Sequence, residues 1–482
     1  MQYSSPCVAV AAASPGDTIL VTPGTSAYTD SCKVDVQGLT IKGVGGQPAI
    51  DLSGTVPIPN EKGIFDVTAD DVTIDNIELR GGSVGDSAAQ LGANGAGIRD
   101  EASGLTVIHC YIHDNQDGIL ATPGSPGSTL TVEYTELSHN ALGDACSGGG
   151  CTHNIYVGSN NMELFVFAFN WSHDAGDGNA AGNGHLVKTR AEESYLLYNS
   201  LTGEMGTESY ELDLPQGGLG VVVGNVIEKS PMAENPILLT YAEESSMNTS
   251  TELYVASNTF VSDYGSSATF IKVASGTLTA HDNLFGSPGT PSTTGALSAD
   301  NLQPASPMFV SPSTYDYHLM AGSPAIGAGV DPGSAGTFSL TPTFEYVKPL
   351  ESVARATGST LDVGAFQFGT NVSGAGQTGT VVIGDGGTPG FSGSGSPEKD
   401  AGKTTGEERD AGGRSSDAGK EDGGRHASDA GTSAEDAGST PGNTSGCSCR
   451  SAKSDPLGWA WAWAWTGVGL GASFARRRRR AA

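Results

Sequence analysis

The sequence predicts an all-β solenoid, a chain wound into stacked coils of short strands. Three observations carry that prediction: 70 glycines in 482 residues, a hydrophobic content of only 37%, and short β-type runs that recur with a minimum spacing near 25 residues. Glycine is costly inside helices and cheap at turns, and no apolar stripe of helical period separates the runs. Helical bundles and βαβ units are therefore excluded.

The first run of each unit ends in asparagine followed by apolar or β-branched residues. It reads Asp75-Asn76-Ile77, Phe169-Asn170-Trp171, Tyr198-Asn199-Ser200, Gly224-Asn225-Val226, Ser257-Asn258-Thr259 and Asp282-Asn283-Leu284, with Cys110 and Thr135 in the equivalent place of two further units. A second run follows in each: Gly97-Ile98, Gly118-Ile119-Leu120, Asn154-Ile155-Tyr156-Val157, His185-Leu186-Val187, Glu211-Leu212-Asp213-Leu214, Pro236-Ile237-Leu238 and Phe270-Ile271-Lys272. Coiling stacks each strand on its counterpart one turn later, about 4.8 Å away, and lets aligned asparagine amides bond along the stack.

With these runs in place, the chain resembles right-handed parallel β-helix proteins of the pectate-lyase-like kind. The stretch Ser14-Pro15-Gly16-Asp17-Thr18-Ile19 through Gly38-Leu39-Thr40-Ile41 resembles the first coils of that family. Asp316-Tyr317-His318-Leu319 and Asp362-Val363-Gly364-Ala365-Phe366 resemble its C-terminal wrap. The resemblance covers residues 1–370 and implies a fold. It does not imply a reaction, because one solenoid hosts lyases, hydrolases, esterases and adhesins.

Charge is distributed unevenly. Residues 1–370 hold 40 acidic and 11 basic residues and so carry the entire formal charge of −29, while residues 371–482 hold 13 of each sign. Such an acidic surface repels phosphate backbones, which argues against nucleic acid as a partner. An anionic polymer would need a local cluster of cations or a bridging metal.

The seven cysteines form no zinc pattern. Cys7 with Cys32, and Cys146 with Cys151, read as short-loop disulfides and suggest an oxidising compartment. Residues 371–446, rich in Gly, Ser, Asp and Thr and repeating Asp-Ala-Gly, read as a disordered linker. In residues 447–482, Leu457 to Phe474 is apolar and just long enough to span a bilayer, and it runs into Arg476 to Arg480. Cys447 and Cys449, the apolar stretch and the arginine cluster together resemble the C-terminal sorting signal of myxobacterial surface proteins. That resemblance implies a secreted protein anchored at the cell surface or outer membrane; a plain membrane anchor is the alternative. Met1 to Ala13 does not read as a signal peptide. A monomer is expected.

Three consecutive units place ionisable residues in or beside the second strand: His153-Asn154-Ile155-Tyr156, His185-Leu186-Val187-Lys188-Thr189-Arg190 and Tyr210-Glu211-Leu212-Asp213. If Ile155, Leu186 and Leu212 face inward at matched rungs, then Asn154, His185 and Glu211 share an outward column, with Tyr156 and Asp213 on the same face. Lys188 and Arg190, scarce cations in an acidic solenoid, would join them if the strand bends after Val187. The two longest loops, one carrying Cys146 and Cys151 and the other Asp174, Asp177 and Asn179, flank these strands. Asp174, Asp177 and Asn179 read as an ordinary turn, and His109, His113 and His139 as structural.

This grouping suits β-elimination on a uronic-acid polysaccharide. That reaction needs positive charge or donors on the sugar carboxylate, a base for the C5 proton and an acid for the leaving oxygen. Arg190 and Asn154 would clamp the carboxylate, Lys188 or His185 would be the base, and Tyr156 or His153 the acid. Glu211 and Asp213 would bind substrate, hold a Ca²⁺ or orient the base. Ion pairs of Lys188 and Arg190 with Glu192, Glu193, Glu211 or Asp213 are the competing reading. A non-catalytic adhesin or glycan-binding surface protein is the alternative function. A glycoside hydrolase is less favoured, since two carboxyls on one strand do not flank a glycosidic bond.

Overall fold

The computed structural model describes residues 1–392 except 86–94, 142–151, 177–183, 245–247, 266–267, 357–359 and 384–388. The proposed Cys146–Cys151 bridge, the linker beyond 392 and the C-terminal segment lie outside the described residues. Three parallel sheets of 10, 9 and 10 strands, here A, B and C in the order the chain visits them, form a β-solenoid. Among the described residues the only α-helix is one turn, Pro6–Val10, which caps the first coil and carries Cys7, disulfide-bonded to Cys32. No helix among the described residues is long and apolar enough to cross a membrane.

The sheets stay in register because each coil repeats the same corner. Between sheets A and B the chain passes through a left-handed residue, with φ of 44–72° at Asn76, His109, Tyr134, Phe169, Tyr198, Gly224, Ser257 and Asp282. The next residue points inward. From Asn170 onward that residue is asparagine, and Oδ1 of Asn199 accepts both the amide and Nδ2 of Asn170, a pattern repeated through Asn225, Asn258, Asn283 and Asn301. Thr135 and Cys110 continue the column toward the N-terminus. Asn76 does not belong to it. It occupies the left-handed position and bonds Gly43 and Gly46 carbonyls, while Ile77 takes the inward place, one residue later than the sequence alignment put it. Asparagine tolerates left-handed backbone, so the same residue type serves either position.

A second ladder, not anticipated from sequence, runs from Asn115 through Asn140 to Asn154 at the corner between sheets B and C. The left-handed side chains of the first corner also stack: Tyr134 on Phe169 at 4.9 Å and Phe169 on Tyr198 at 5.3 Å. The stack stops at Gly224, whose Cβ would lie 2.5 Å from the Tyr198 ring.

After the last coil the chain returns along this corner. Val330 donates to Asp282, Thr343 to Tyr198, Ala365 to Thr259, and Val381 to Glu133, so the returning segment lies against earlier coils as far back as Glu133. The returning hairpin Thr380–Ile383 with Pro389–Ser392 lies past residue 370, where the sequence reading ends the solenoid. Lys348 fastens the wrap: its Nζ sits 4.1 Å from the Trp171 ring centroid and 3.2 Å from Glu204.

The ladder makes a quantitative prediction. Asn199→Ala removes the acceptor of Asn170 and the donor to the Phe167 carbonyl, leaving buried groups unpaired at about 1–3 kcal/mol each. Urea unfolding is expected to show a loss of about 3 kcal/mol; a loss below 1 kcal/mol would mean that the ladder does not hold the coils.

Candidate active site

The site forms on the outer face of sheet C, across Ile155–Val157, Val187–Thr189 and Leu212–Leu214. The register aligns Tyr156 with Lys188, Lys188 with Asp213, and Asp213 with Thr240. The residues on either side, Ile155, Val187, Leu212 and Val157, Leu214, are buried in the core. Just before these strands, His153 Nδ1 accepts the His185 amide at 2.9 Å, and the two rings meet edge-on at 4.6 Å. Tyr210 continues the row, 4.9 Å from His185.

Asp213 is the hub. Its Oδ2 lies 3.1 Å from His185 Nδ1 and 3.5 Å from Lys188 Nζ, and its Oδ1 accepts from Thr240 at 2.8 Å. Burial alone would raise this carboxyl, but the Lys188 charge and the hydrogen bonds from His185 and Thr240 outweigh it and hold the pKa at about 2. For His185, burial reinforced by the Lys188 charge outweighs Asp213 and pulls the imidazole down to about 4. At neutral pH the pair is therefore a carboxylate holding a neutral imidazole.

Tyr156 collects both cations. Lys188 Nζ and the Arg190 guanidinium lie 5.6 and 5.2 Å from its ring centroid, Arg190 Nη1 donates to its hydroxyl, and His153 meets the ring edge-on at 4.9 Å. The other side of the Arg190 fork is bidentate on Glu244, at 2.7 and 2.9 Å from Nη2. Two cations thus face two carboxylates, and the cluster is close to neutral rather than a positive island. The same holds along the solenoid, where ten of the eleven basic residues of 1–370 lie within 4.0 Å of a carboxylate.

Six of the residues singled out from sequence therefore come together: His153, Tyr156, His185, Lys188, Arg190 and Asp213. Asn154 and Glu211 do not. Both precede their three-residue strands and sit at the corner, where strict alternation does not reach. Asn154 is turned inward by its ladder and bonds the Leu137 and His173 carbonyls. Glu211 is fully buried and pairs with Lys229 Nζ at 3.0 Å. Glu211 and Asp213 hence face opposite sides of the sheet and do not converge on one cation. Thr240 was legible as the next rung of the same column, whereas Glu244 follows its strand in a loop, where no periodicity marks it.

A further group, His173, Asp174 and Glu204, brings its potential ligand atoms within 4.8 Å of one another. Both ring nitrogens of His173 already face carboxylates, Nδ1 that of Asp174 at 2.8 Å and Nε2 that of Glu136 at 3.3 Å. Burial opposes the charge, yet Asp174 and Glu136 outweigh it and raise the His173 pKa, so a metal would have to displace a favoured proton. His113 stands between Asp114 and Glu78 in the same way two coils earlier, which marks the arrangement as a repeated structural device. A groove of about 800 Å³ beside the N-terminal cap is lined only by residues from 1 to 28 and does not adjoin the cluster.

No protein-family model matches the chain, and no curated protein matches it in sequence.

The shifted imidazole fixes a pH dependence. Unfolded His185 takes up a proton near pH 6.5, whereas the folded group resists until about 4. The stabilisation is complete above the unfolded value and is lost as pH falls through that window, by about 3 kcal/mol. Denaturant unfolding of wild type and His185→Gln at pH 7 and pH 4 should show wild type losing that much relative to the variant. Parallel profiles would refute the neutral-imidazole assignment. Asp213→Asn is expected to cost about 3–5 kcal/mol at pH 7 by leaving the buried Lys188 ammonium without its carboxylate.

Proposed function

We propose that this protein is a surface-held, pectate-lyase-like polysaccharide lyase that cleaves a uronic-acid-containing glycan by β-elimination. The observation that carries the reading is the His185–Asp213 pair beside the Tyr156 hydroxyl and two cations on one outer face. In this reading the neutral His185, oriented by Asp213, takes the C5 proton. Lys188 and Arg190 stabilise the charge that develops on the sugar carboxylate. Tyr156 then delivers a proton to the leaving O4 as the C4–C5 double bond forms. The roles proposed for Asn154 and Glu211 in binding substrate are dropped, because neither reaches the outer face. The tail beginning at Cys447 would anchor the protein, with residues 393–446 as the spacer.

A second reading, a non-catalytic glycan-binding surface protein, is favoured by one observation. Lys188 and Arg190 already hold Asp213 and Glu244, so a uronate must compete with resident carboxylates.

Incubation with pectate, alginate and glycosaminoglycans decides between the two. A lyase gives the ultraviolet absorbance of unsaturated uronate ends, and His185→Ala should slow its appearance by roughly 10²-fold or more. Glycan binding without new absorbance selects the second reading; neither binding nor absorbance refutes both.

A further inference from the structure

Inside the solenoid, behind the outer cluster, three ionisable side chains meet without any access to water. Lys229, at the end of Val226–Lys229 in sheet B, has its Nζ 3.0 Å from Oε1 and 3.4 Å from Oε2 of Glu211. Both side chains are 0% exposed, and Glu208 beside them is also fully buried. Oε1 of Glu208 accepts the Ser230 amide at 3.3 Å, and its side chain is hydrogen-bonded to that of Glu211. Lys229 Nζ also donates to the Ser209 carbonyl at 2.6 Å, which fixes the amine against the carboxyl.

An ordinary buried ion pair does not account for this set. One ammonium beside two carboxylates leaves an uncompensated negative charge in the core, which is strongly unfavourable unless a proton neutralises it. Burial, with Glu208 adding to it, pushes the Glu211 carboxyl well above its ordinary range against the opposing pull of Lys229, so Glu211 retains its proton. The result is an amine held against a protonated carboxyl, with a second carboxyl alongside to carry protons and no water to compete. Groups held about 3–3.5 Å apart in that manner react as if at very high concentration.

We propose that Lys229 and Glu211 form an intramolecular amide, an isopeptide bond, with Glu208 as the proton carrier. Lys229 gives its extra proton to Glu208, and the neutral amine adds through its lone pair to Cδ of the protonated Glu211. Glu208 protonates the departing hydroxyl, which leaves as water, and takes the remaining proton from nitrogen. One C–N bond forms, one C–O bond breaks and one water is released; nothing is oxidised or reduced. The product removes the buried Lys229 ammonium and leaves Glu208 protonated, so no charge of the three remains in the core. Because Glu211 belongs to one coil and Lys229 to the next, it also ties consecutive coils covalently.

Lys188 and Asp213 are the internal contrast. Asp213 lies on the outer face of the rung that carries Glu211, with Lys188 Nζ of the preceding rung 3.5 Å from one carboxylate oxygen, but that carboxylate is ionised and engaged by His185 and Thr240, so it offers no leaving hydroxyl.

The test is the mass of the full chain after reduction and denaturation. The wild-type chain is expected to be lighter than its sequence by one water, and its digest to contain a branched peptide joining the segments of Glu211 and Lys229. Lys229→Ala should show the full mass. Glu208→Gln, which keeps both partners, should lose the branched peptide or form it at least tenfold more slowly. A folded wild-type chain of full mass with no branched peptide overturns the proposal whatever the variants do. Undiminished cross-linking in Glu208→Gln overturns the role given to Glu208.

Discussion

The asparagine column between sheets A and B is the constraint on which the remaining geometry depends. A parallel strand pair by itself permits a slip, and a slip of one residue exchanges the inner and outer faces. Each corner asparagine prevents this by accepting the backbone amide and the side-chain amide of its neighbour with a single oxygen. The second ladder, ending at Asn154, fixes the entry to sheet C in the same way. With the first corner pinned through every one of these coils and the second as far as Asn154, Tyr156, Lys188, Asp213 and Thr240 fall into one column. The outer cluster is thus a consequence of side chains that face inward.

Scarcity of positive charge determines what this column can do. In a solenoid with far more carboxylates than cations, nearly every cation has a carboxylate beside it, and Lys188 and Arg190 are no exception. What the outer cluster offers a ligand is therefore polarised partners: a neutral imidazole held by a carboxylate, and a phenol held by a guanidinium. Arg190 bridges Tyr156 to Glu244, so any anion that drew the guanidinium away would alter the hydroxyl at the same time.

Most of the fold was legible in the sequence because its cause is periodic. Corner asparagines, short apolar runs and left-handed glycine or aromatic positions recur at each coil, and the Cys7–Cys32 bridge lay in a short loop of the first coil. The misplacement of Asn76 has a definite cause, since its side chain serves a left-handed residue as well as it serves a ladder. The outer cluster was legible in part. Tyr156, Lys188 and Asp213 are the middle residues of three-residue strands, where alternation holds. Asn154 and Glu211 stand one residue outside such strands, where the corner and not the pleat sets direction. Glu244 and Glu208 were not legible, because their contacts are made by loop residues whose position follows no period.

Glu211 and Asp213 show how far environment outweighs residue type. They are two residues apart on the same rung, both carboxylic, both buried and both beside a lysine. Asp213 faces the outer cluster, where Lys188, the His185 imidazole and the Thr240 hydroxyl all favour the ionised form, and its proton is held only near pH 2. Glu211 faces the core, where a single ammonium must serve two carboxyls and Glu208 opposes a second negative charge, so its proton is retained well above the ordinary range. A strand thereby presents an acceptor on one side and a protonated, electrophilic carboxyl on the other. Chemistry that depends on an anion belongs to the outer face, and chemistry that depends on losing a hydroxyl belongs to the inner one.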